Sequence, residues 1–198
     1  NALLKSFAKN RYFDKDSLEI YDDPISNFGT RIFEKRKEFV EKLNPIVQHF
    51  YEIISGGKEI VNVIYESHLL DNNFKELLSS SIDKDRALTY TSKGTHKDDL
   101  LFEMNGNSIK KIGSQGQQKS FLISLKLAQI NRIKELTRKS PILLLDDIFD
   151  KLDDTRVSQL IELVNKESFG QIFITDTHKE RTENVVRRIS EESKIFEI

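Results

Sequence analysis

Cysteine is absent from this 198-residue chain, which excludes disulfides, thiolate metal sites and thiol nucleophiles. No run of eighteen apolar residues occurs, so no membrane-spanning helix is expected. Eight glycines are present, yet none opens the Gly-x-x-x-x-Gly-Lys-Ser/Thr loop whose amides and lysine cradle nucleotide phosphates. Neither sign of charge is in excess: 31 Lys and Arg stand against 32 Asp and Glu, a formal net charge of -1. The surface as a whole is therefore no attractor for nucleic acid, and any such contact must come from a local basic patch. Internal repeats and low-complexity tracts are missing as well. Methionine occurs once, at Met104, and the first residue is Asn1, so a preceding natural segment is expected. What is present is length enough for one large or two small domains, able to bury about 70% of the unfolded surface.

The apolar run from Pro141 to Leu145 ends in two adjacent acids, Asp146 and Asp147. It reads as a central parallel strand buried on both faces, and open α/β sheets bind ligands at the carboxyl ends of such strands. Side-chain alternation points the two acids to opposite sides, so they cannot share one task. One can hold Mg²⁺ directly or through water. The other can orient or deprotonate the water that attacks a γ-phosphate. Receiver domains carry a similar acid pair, but near their start, whereas about fifty residues remain here. Solvated acids at a strand end are the plain alternative.

Upstream, Ser114 and Gly116 flank the start of a helix predicted from about Gln117 to Arg138, with Phe121, Leu122, Leu125, Leu127, Ile130, Ile133 and Leu136 forming a broad apolar surface. A serine and a glycine at a helix N-terminus combine free N–H groups, a hydroxyl and the positive dipole end, the chemistry that grips a phosphate. Taken alone, Ser114 is equally an ordinary helix cap.

Three segments together carry a resemblance: Gly113-Ser114-Gln115-Gly116-Gln117-Gln118-Lys119-Ser120, Leu143 to Asp154 with its Leu-Leu-Leu-Asp-Asp-Ile-Phe-Asp-Lys-Leu-Asp-Asp, and Thr95-His96-Lys97-Asp98-Asp99-Leu100. They resemble the RecF family of bacterial recombination mediator ATPases, relatives of SMC-type heads within the ABC superfamily, along almost the whole chain. The resemblance implies an α/β fold: the C-terminal lobe of an ABC-type ATPase head, a mainly parallel sheet flanked by helices, with an α-helical arm domain. By the same resemblance Ser114, Gln115, Gly116 and Gln117 match the signature that closes over the ATP of a partner subunit. Asp146 matches the Mg²⁺-coordinating acid and Asp147 the catalytic carboxylate. Asp150, Leu152 and Asp153 match the D-loop that crosses the dimer interface. After the strand at 171–175, the place of the switch histidine holds Asp176, and His178 falls two residues later. Either His178 reaches the phosphate through a different turn, or the switch role is weak here. The phosphate-cradling loop is expected in the preceding segment, so this chain alone should bind ATP and Mg²⁺ poorly and turn nothing over.

The same resemblance implies a cytoplasmic, nucleoid-associated protein of replication-fork repair and the SOS response, with weak DNA-stimulated ATPase activity. Its partners would be duplex DNA, single/double-strand junctions, a second copy joined through ATP, and proteins of the RecO and RecR type, with no membrane. Two basic groups are candidate DNA contacts: Lys93, His96 and Lys97 in one loop, and Lys110 and Lys111, with Lys119, around the signature. Such residues bind phosphate without reading sequence. Solvated charges balanced by nearby acids are an equal reading of each group. Arg132, Lys134, Arg138 and Lys139 complement a helix C-terminus first.

Along the chain, a helical arm is expected over 1–90, with a short strand near 60–66, and the signature lobe over 91–198. Apolar residues at Ile25, Phe28, Ile32, Phe39, Leu43, Ile46, Phe50 and Ile53 predict one long amphipathic helix or two in tandem, with Pro45 kinking or breaking it and Gly56-Gly57 ending it. A strand is expected over 60–65 and a short helix over 73–80. Asn105-Gly106-Asn107 predicts a hairpin between strands 100–104 and 108–112. A helix over 155–166, capped by Asp153 or Asp154, would return to a parallel strand at 172–175 through a right-handed crossover. A last edge strand is expected over 193–198. Two functional classes remain: the signature lobe and arm of an ATP-dependent DNA clamp that promotes recombinase loading at gaps, or a non-hydrolysing module that docks a repair partner through its arm.

Overall fold

The computed structural model describes residues 1–146, 150, 152–166, 170–177, 183, 186 and 193–196. The chain divides into two compact units that interleave in sequence, Asn1–Lys42 with Ile64–Leu101, and Leu43–Val63 with Phe102–Ile198. The division passes through the long helix and two strands.

In the first unit, α1 spans Ala2–Asn10 and α2 spans Lys15–Glu19, with the Asp14 carboxylate capping the latter through the amides of Asp16 and Ser17. The N-terminal part of α3, Asp22–Ser55, follows. Helix α4 covers Phe74–Leu88, capped by Asn73, whose side chain accepts from the amides of Lys75 and Glu76. It runs eight residues beyond the expected short helix, ending at a left-handed Thr89. Phe74 and Leu78 join Leu69 in a core that Phe33 and Leu77 flank, and the same face continues through buried Ser81 and Asp85, where Asp85 accepts from Ser81 Oγ at 3.1 Å and from the Ser92 amide at 2.8 Å. Arg86 lays its guanidinium 3.9 Å from the centre of the Phe13 ring.

In the second unit, α3 continues without interruption through Pro45. A proline inside a helix costs about 3 kcal/mol. Burial on either side offsets this, since Leu43, Val47, Phe50, Tyr51 and Ile54 are all at most 5% exposed, and the Asn44 side chain accepts the Val63 amide at 2.8 Å. Gly56 and Gly57, both at positive φ, end the helix where expected. Strand β1 covers Val61–Glu66, β2 covers Asp99–Met104 and β3 only Asn107–Ser108, in sheet order β1-β2-β3. The hairpin turn holds: Asn105 and Gly106 take positive φ, and β2 pairs antiparallel to β3. The second arm differs from expectation. Ile109–Ile112 form a helical turn, α5, because Ile109 is buried at 5% exposure and the Gly113 amide closes onto its carbonyl.

Helix α6, Gln115–Thr137, is followed by β4, Leu143–Asp146, then α7, Asp154–Lys166, and β5, Ile172–Thr175. Strands β4 and β5 are parallel, in the register Leu143↔Ile172 to Asp146↔Thr175. Among the described residues β4 has β5 as its one strand neighbour and buries one face, not two: Leu143 and Leu145 are 5% and 8% exposed, whereas Leu144 is 71% exposed. An apolar run is thus compatible with a strand that only half the chain's own layers cover. Residues 193–196 form no strand, contrary to expectation. Among the described residues no helix is long and apolar enough to cross a membrane.

Gly29 lies on α3 against Phe74, and a Cβ built there would sit 1.8 Å from the ring edge. Alanine normally favours a helix over glycine by up to about 1 kcal/mol, but overpacking costs about 1–3 kcal/mol. Gly29→Ala is expected to lower stability in urea unfolding, and Phe74→Leu in the same chain to recover part of the loss. A stabilised Gly29→Ala variant would show that this contact is not close-packed.

Candidate functional site

The start of α6 is built by a reciprocal cap. Ser114 Oγ accepts the Gln117 amide at 3.3 Å, and Gln117 Oε1 accepts the Ser114 amide at 2.8 Å. The capping role of Ser114 is therefore real, and it leaves the hydroxyl proton available to a ligand. Ser114 and Gln115 are exposed, while Gly116 and Gln117 are half-buried. The helix offers 23 residues of aligned peptide dipole behind these groups. Gly113 is held close, since a Cβ there would meet the Ile109 carbonyl at 2.6 Å.

The loop expected to face a dimer partner is tied to this helix start. Lys119 donates to the Asp150 carbonyl at 2.7 Å. Leu152 is buried at 5% exposure. Asp153 caps α7, its Oδ1 accepting the Arg156 amide at 2.9 Å, and its Oδ2 lies 3.3 Å from Arg156 Nε. The same guanidinium donates to Ser120 Oγ at 3.0 Å and to Glu59 Oε1 at 3.2 Å. Glu59 Oε1 also accepts from Gln117 Nε2 at 2.8 Å, and Ser120 Oγ donates to the Gly116 carbonyl at 2.8 Å.

The Arg156 and Glu59 side chains are only 12% and 11% exposed. Burial by itself lowers the Arg156 guanidinium, yet the Tyr51 hydroxyl and the carboxylates of Glu59 and Asp153 carry it above its ordinary value. Burial also pushes the Tyr51 phenol up. Sequence reading passed over Glu59 and Arg156, and gave Ser120 no role of its own within the segment that ends on it. Glu59 and Arg156 stand 97 residues apart, and no local pattern marks either.

Asp146 ends β4, and the Thr175 hydroxyl from β5 donates to its Oδ1, in keeping with the strand register. The carboxylate is a hard oxygen donor at an exposed strand end, so it fits as one ligand of Mg²⁺, with the remaining ligands supplied from outside these residues. Among the described residues no group of three or more His, Asp or Glu gathers to hold a metal. Asp147 and His178 lie outside the described residues. Asp176, half-buried, directly follows β5.

The candidate basic loop belongs to the first unit. A short 3-10 turn, Thr95–Lys97, follows Gly94, whose φ of 121° only glycine adopts readily. Its anchor is Asp98, 3% exposed at the side chain, which accepts from Arg36 at 2.8 Å and from the Tyr65 hydroxyl. Arg36 also donates to the Thr95 carbonyl at 2.6 Å. His96 Nε2 lies 2.8 Å from the Thr91 carbonyl, and Lys97 stands 5.3 Å from the Tyr90 ring centre. Beside this loop, burial and the Lys93 ammonium push the His68 imidazole down. Lys110 and Lys111, exposed on α5, belong to the second unit.

A capped signature helix, an acidic parallel strand end and the return strand define an α/β lobe of the ABC-type ATPase head. Comparison with known proteins narrows the class. The chain is 56% identical over 198 residues to the DNA replication and repair protein RecF of Flavobacterium johnsoniae, covering all of this chain and 55% of the relative. It is 43% identical over 199 residues to RecF of Phocaeicola vulgatus, covering 53% of that protein. Among solved structures it is similar to the recombination mediator RecF with ATP, at a TM-score of 0.75 and 28% identity over 90% of this chain and 49% of that one. With RecF bound to ATPγS the TM-score is 0.71 at 31% identity, over 91% and 50%. An Smc head domain from Pyrococcus yayanosii, at 17% identity and a TM-score of 0.50 over 89% of this chain and 29% of that one, shares the fold. No family model matches. The chain belongs to the RecF family and spans about half the length of the curated relatives it matches.

The Asp98 anchor generates a pH prediction. Burial, then the Asp98 carboxylate, pushes the Tyr65 phenol up from 10.0 to about 12. A phenol raised in the folded state favours the neutral form. Its contribution is intact below about pH 10 and is lost as pH rises through about 12. Ultraviolet titration of the phenolates should lose a late step at about pH 12 in Tyr65→Phe, while the raised phenol of Tyr51 stays, with a shallower alkaline loss of stability. Amplitude lost near pH 10 in that variant, with the late step retained, would place Tyr65 in solvent.

Proposed function

We propose that this chain is the signature lobe and arm of a RecF-type ATPase, an ATP-dependent DNA-binding protein of recombinational repair. In this reading two copies sandwich ATP. Ser114, Gln115, Gly116 and Gln117 of one copy close over the γ-phosphate bound by the other, through a hydroxyl, free amides and the helix dipole. Asp150, Leu152 and Asp153 face the partner. Asp146 would hold Mg²⁺, which supplies charge neutralisation at the phosphates. Asp147 orients and deprotonates the attacking water, with His178 or Asp176 at the switch position. The observation that carries the reading is the exposed, reciprocally capped start of α6, in a chain that matches RecF proteins along its whole length.

The preceding half of the relatives' length would hold the phosphate-cradling loop, so the present chain alone turns nothing over. ATP-driven closure grips duplex DNA and single/double-strand junctions, and hydrolysis releases it, promoting recombinase loading at gaps beside proteins of the RecO and RecR type. Lys93, His96 and Lys97, with Lys110 and Lys111, serve as phosphate contacts, and the protein works in the cytoplasm with the nucleoid.

The test is ATP turnover by the natural protein that carries this chain, with and without duplex DNA, beside its Asp147→Asn variant. DNA should stimulate turnover, and the variant should lose about 10² or more in rate while still dimerising with ATP. Equal, DNA-insensitive rates in both proteins would remove the clamp mechanism and leave a docking module.

A further inference from the structure

Besides the direct bond from Lys119 to the Asp150 carbonyl, three polar links join the two surfaces that would meet an ATP-bound partner, and these three converge on one buried charge pair. Asp153 holds Arg156 by its amide at 2.9 Å and by its Nε at 3.3 Å. Arg156 reaches Ser120 at 3.0 Å, and Ser120 in turn donates to the Gly116 carbonyl at 2.8 Å. Glu59 accepts from Arg156 at 3.2 Å and from Gln117 at 2.8 Å. Each of the three guanidinium nitrogens thus meets a group of the D-loop side, the signature side or Glu59 between them, with the Tyr51 hydroxyl also beside the guanidinium.

We propose that Arg156 and Glu59 are a positioning pair that couples the loop of Asp153 to the signature at Gly116 and Gln117, so that the two partner-facing surfaces respond to nucleotide as one body. Neither residue touches nucleotide; each acts through the groups it holds. A fork-shaped guanidinium suits this task because it bonds three directions at once from one buried point. A lysine ammonium in the same place can keep the charge pair with Glu59 but cannot span Ser120 and Asp153 together. The pair departs from a merely structural salt bridge in where its bonds end. Apart from the core hydroxyl of Tyr51, they finish on groups of the two motifs.

This inference rests on the reading above, and the test separates the two. In the natural protein that carries this chain, dimerisation is followed by analytical ultracentrifugation with and without ATP, and nucleotide affinity of the single subunit is followed with a fluorescent ATP analogue. Arg156→Gln and Glu59→Gln are each expected to weaken the ATP-dependent dimer by about tenfold or more while leaving subunit affinity for the analogue unchanged. The double variant should be no worse than either single one. Arg156→Lys should regain the melting temperature but not the dimer. Where a Gln variant does not fold, hydrogen exchange in the unmodified protein gives the answer, since amides at 115–120 and 153–157 should gain protection together when ATP is added. Dimerisation at the unmodified level in either single variant, additive losses in the double one, or separate protection of the two segments would overturn the coupling. If the unmodified protein forms no dimer with ATP, the clamp reading itself falls and the coupling falls with it.

Discussion

A charge removed from water must be answered on every side, and in the second unit that requirement falls on Arg156. The effective penalty for burying such an ion amounts to several kcal/mol, and breaking a buried pair typically costs about 3–5 kcal/mol because the other charge is left unanswered. Glu59 provides the opposite charge, Ser120 a hydroxyl and Asp153 a second carboxylate. Each of these comes from a different stretch of chain, so satisfying one guanidinium fixes the segment between α3 and β1, the first turns of α6 and the cap of α7 with respect to one another. Close packing beneath completes the arrangement: Tyr51, Leu127, Val157 and Leu160 are at most 1% exposed.

The first unit uses the same device on a smaller scale. Asp98, almost fully buried at its side chain, gathers Arg36 and the Tyr65 hydroxyl, and Arg36 also takes the Thr95 carbonyl. A loop with three basic or potentially basic residues, Lys93, His96 and Lys97, is thereby held in one shape by a carboxylate at its base. Fixing the backbone lowers the ordering cost that an anionic ligand would otherwise meet. The glycine at 94 is part of the same economy, because its left-handed backbone lets the loop pass close to the Phe74 ring, where a Cβ would stand 2.8 Å away.

Elements governed by short-range rules were legible in the sequence. The return strand at 172–175, the paired glycines that end α3 and the Asn105-Gly106 hairpin turn were all expected, the two turns because they rest on local backbone preference. Ser114 and Gly116 were read as flanking a helix start near Gln117; the helix begins at Gln115 with Ser114 as its cap, and the reciprocal bond from Gln117 is the same local geometry. Expectations stayed open or failed where burial competes with propensity. Pro45 left one long helix or two in tandem open, and packing on both sides carries α3 through it as one. Residues 109–112 look extended by composition, yet the burial of Ile109 favours a helical turn. Leu144 belongs to a run apolar enough for two buried faces, yet it is exposed among the described residues, since a residue's apolarity does not say which layer will cover it.

By itself the sequence determined the family, the α/β class and the order of the motifs, because these reside in residue identity and spacing along the chain. Only the tertiary structure decided what joins the motifs. Glu59 and Arg156 have no pattern around them, and a glutamate after a turn or an arginine in a helix's first turn is ordinarily a solvated charge. Their significance comes from being brought within hydrogen-bond reach across 97 residues and shut away from water. That depends on long-range packing, which no local rule contains.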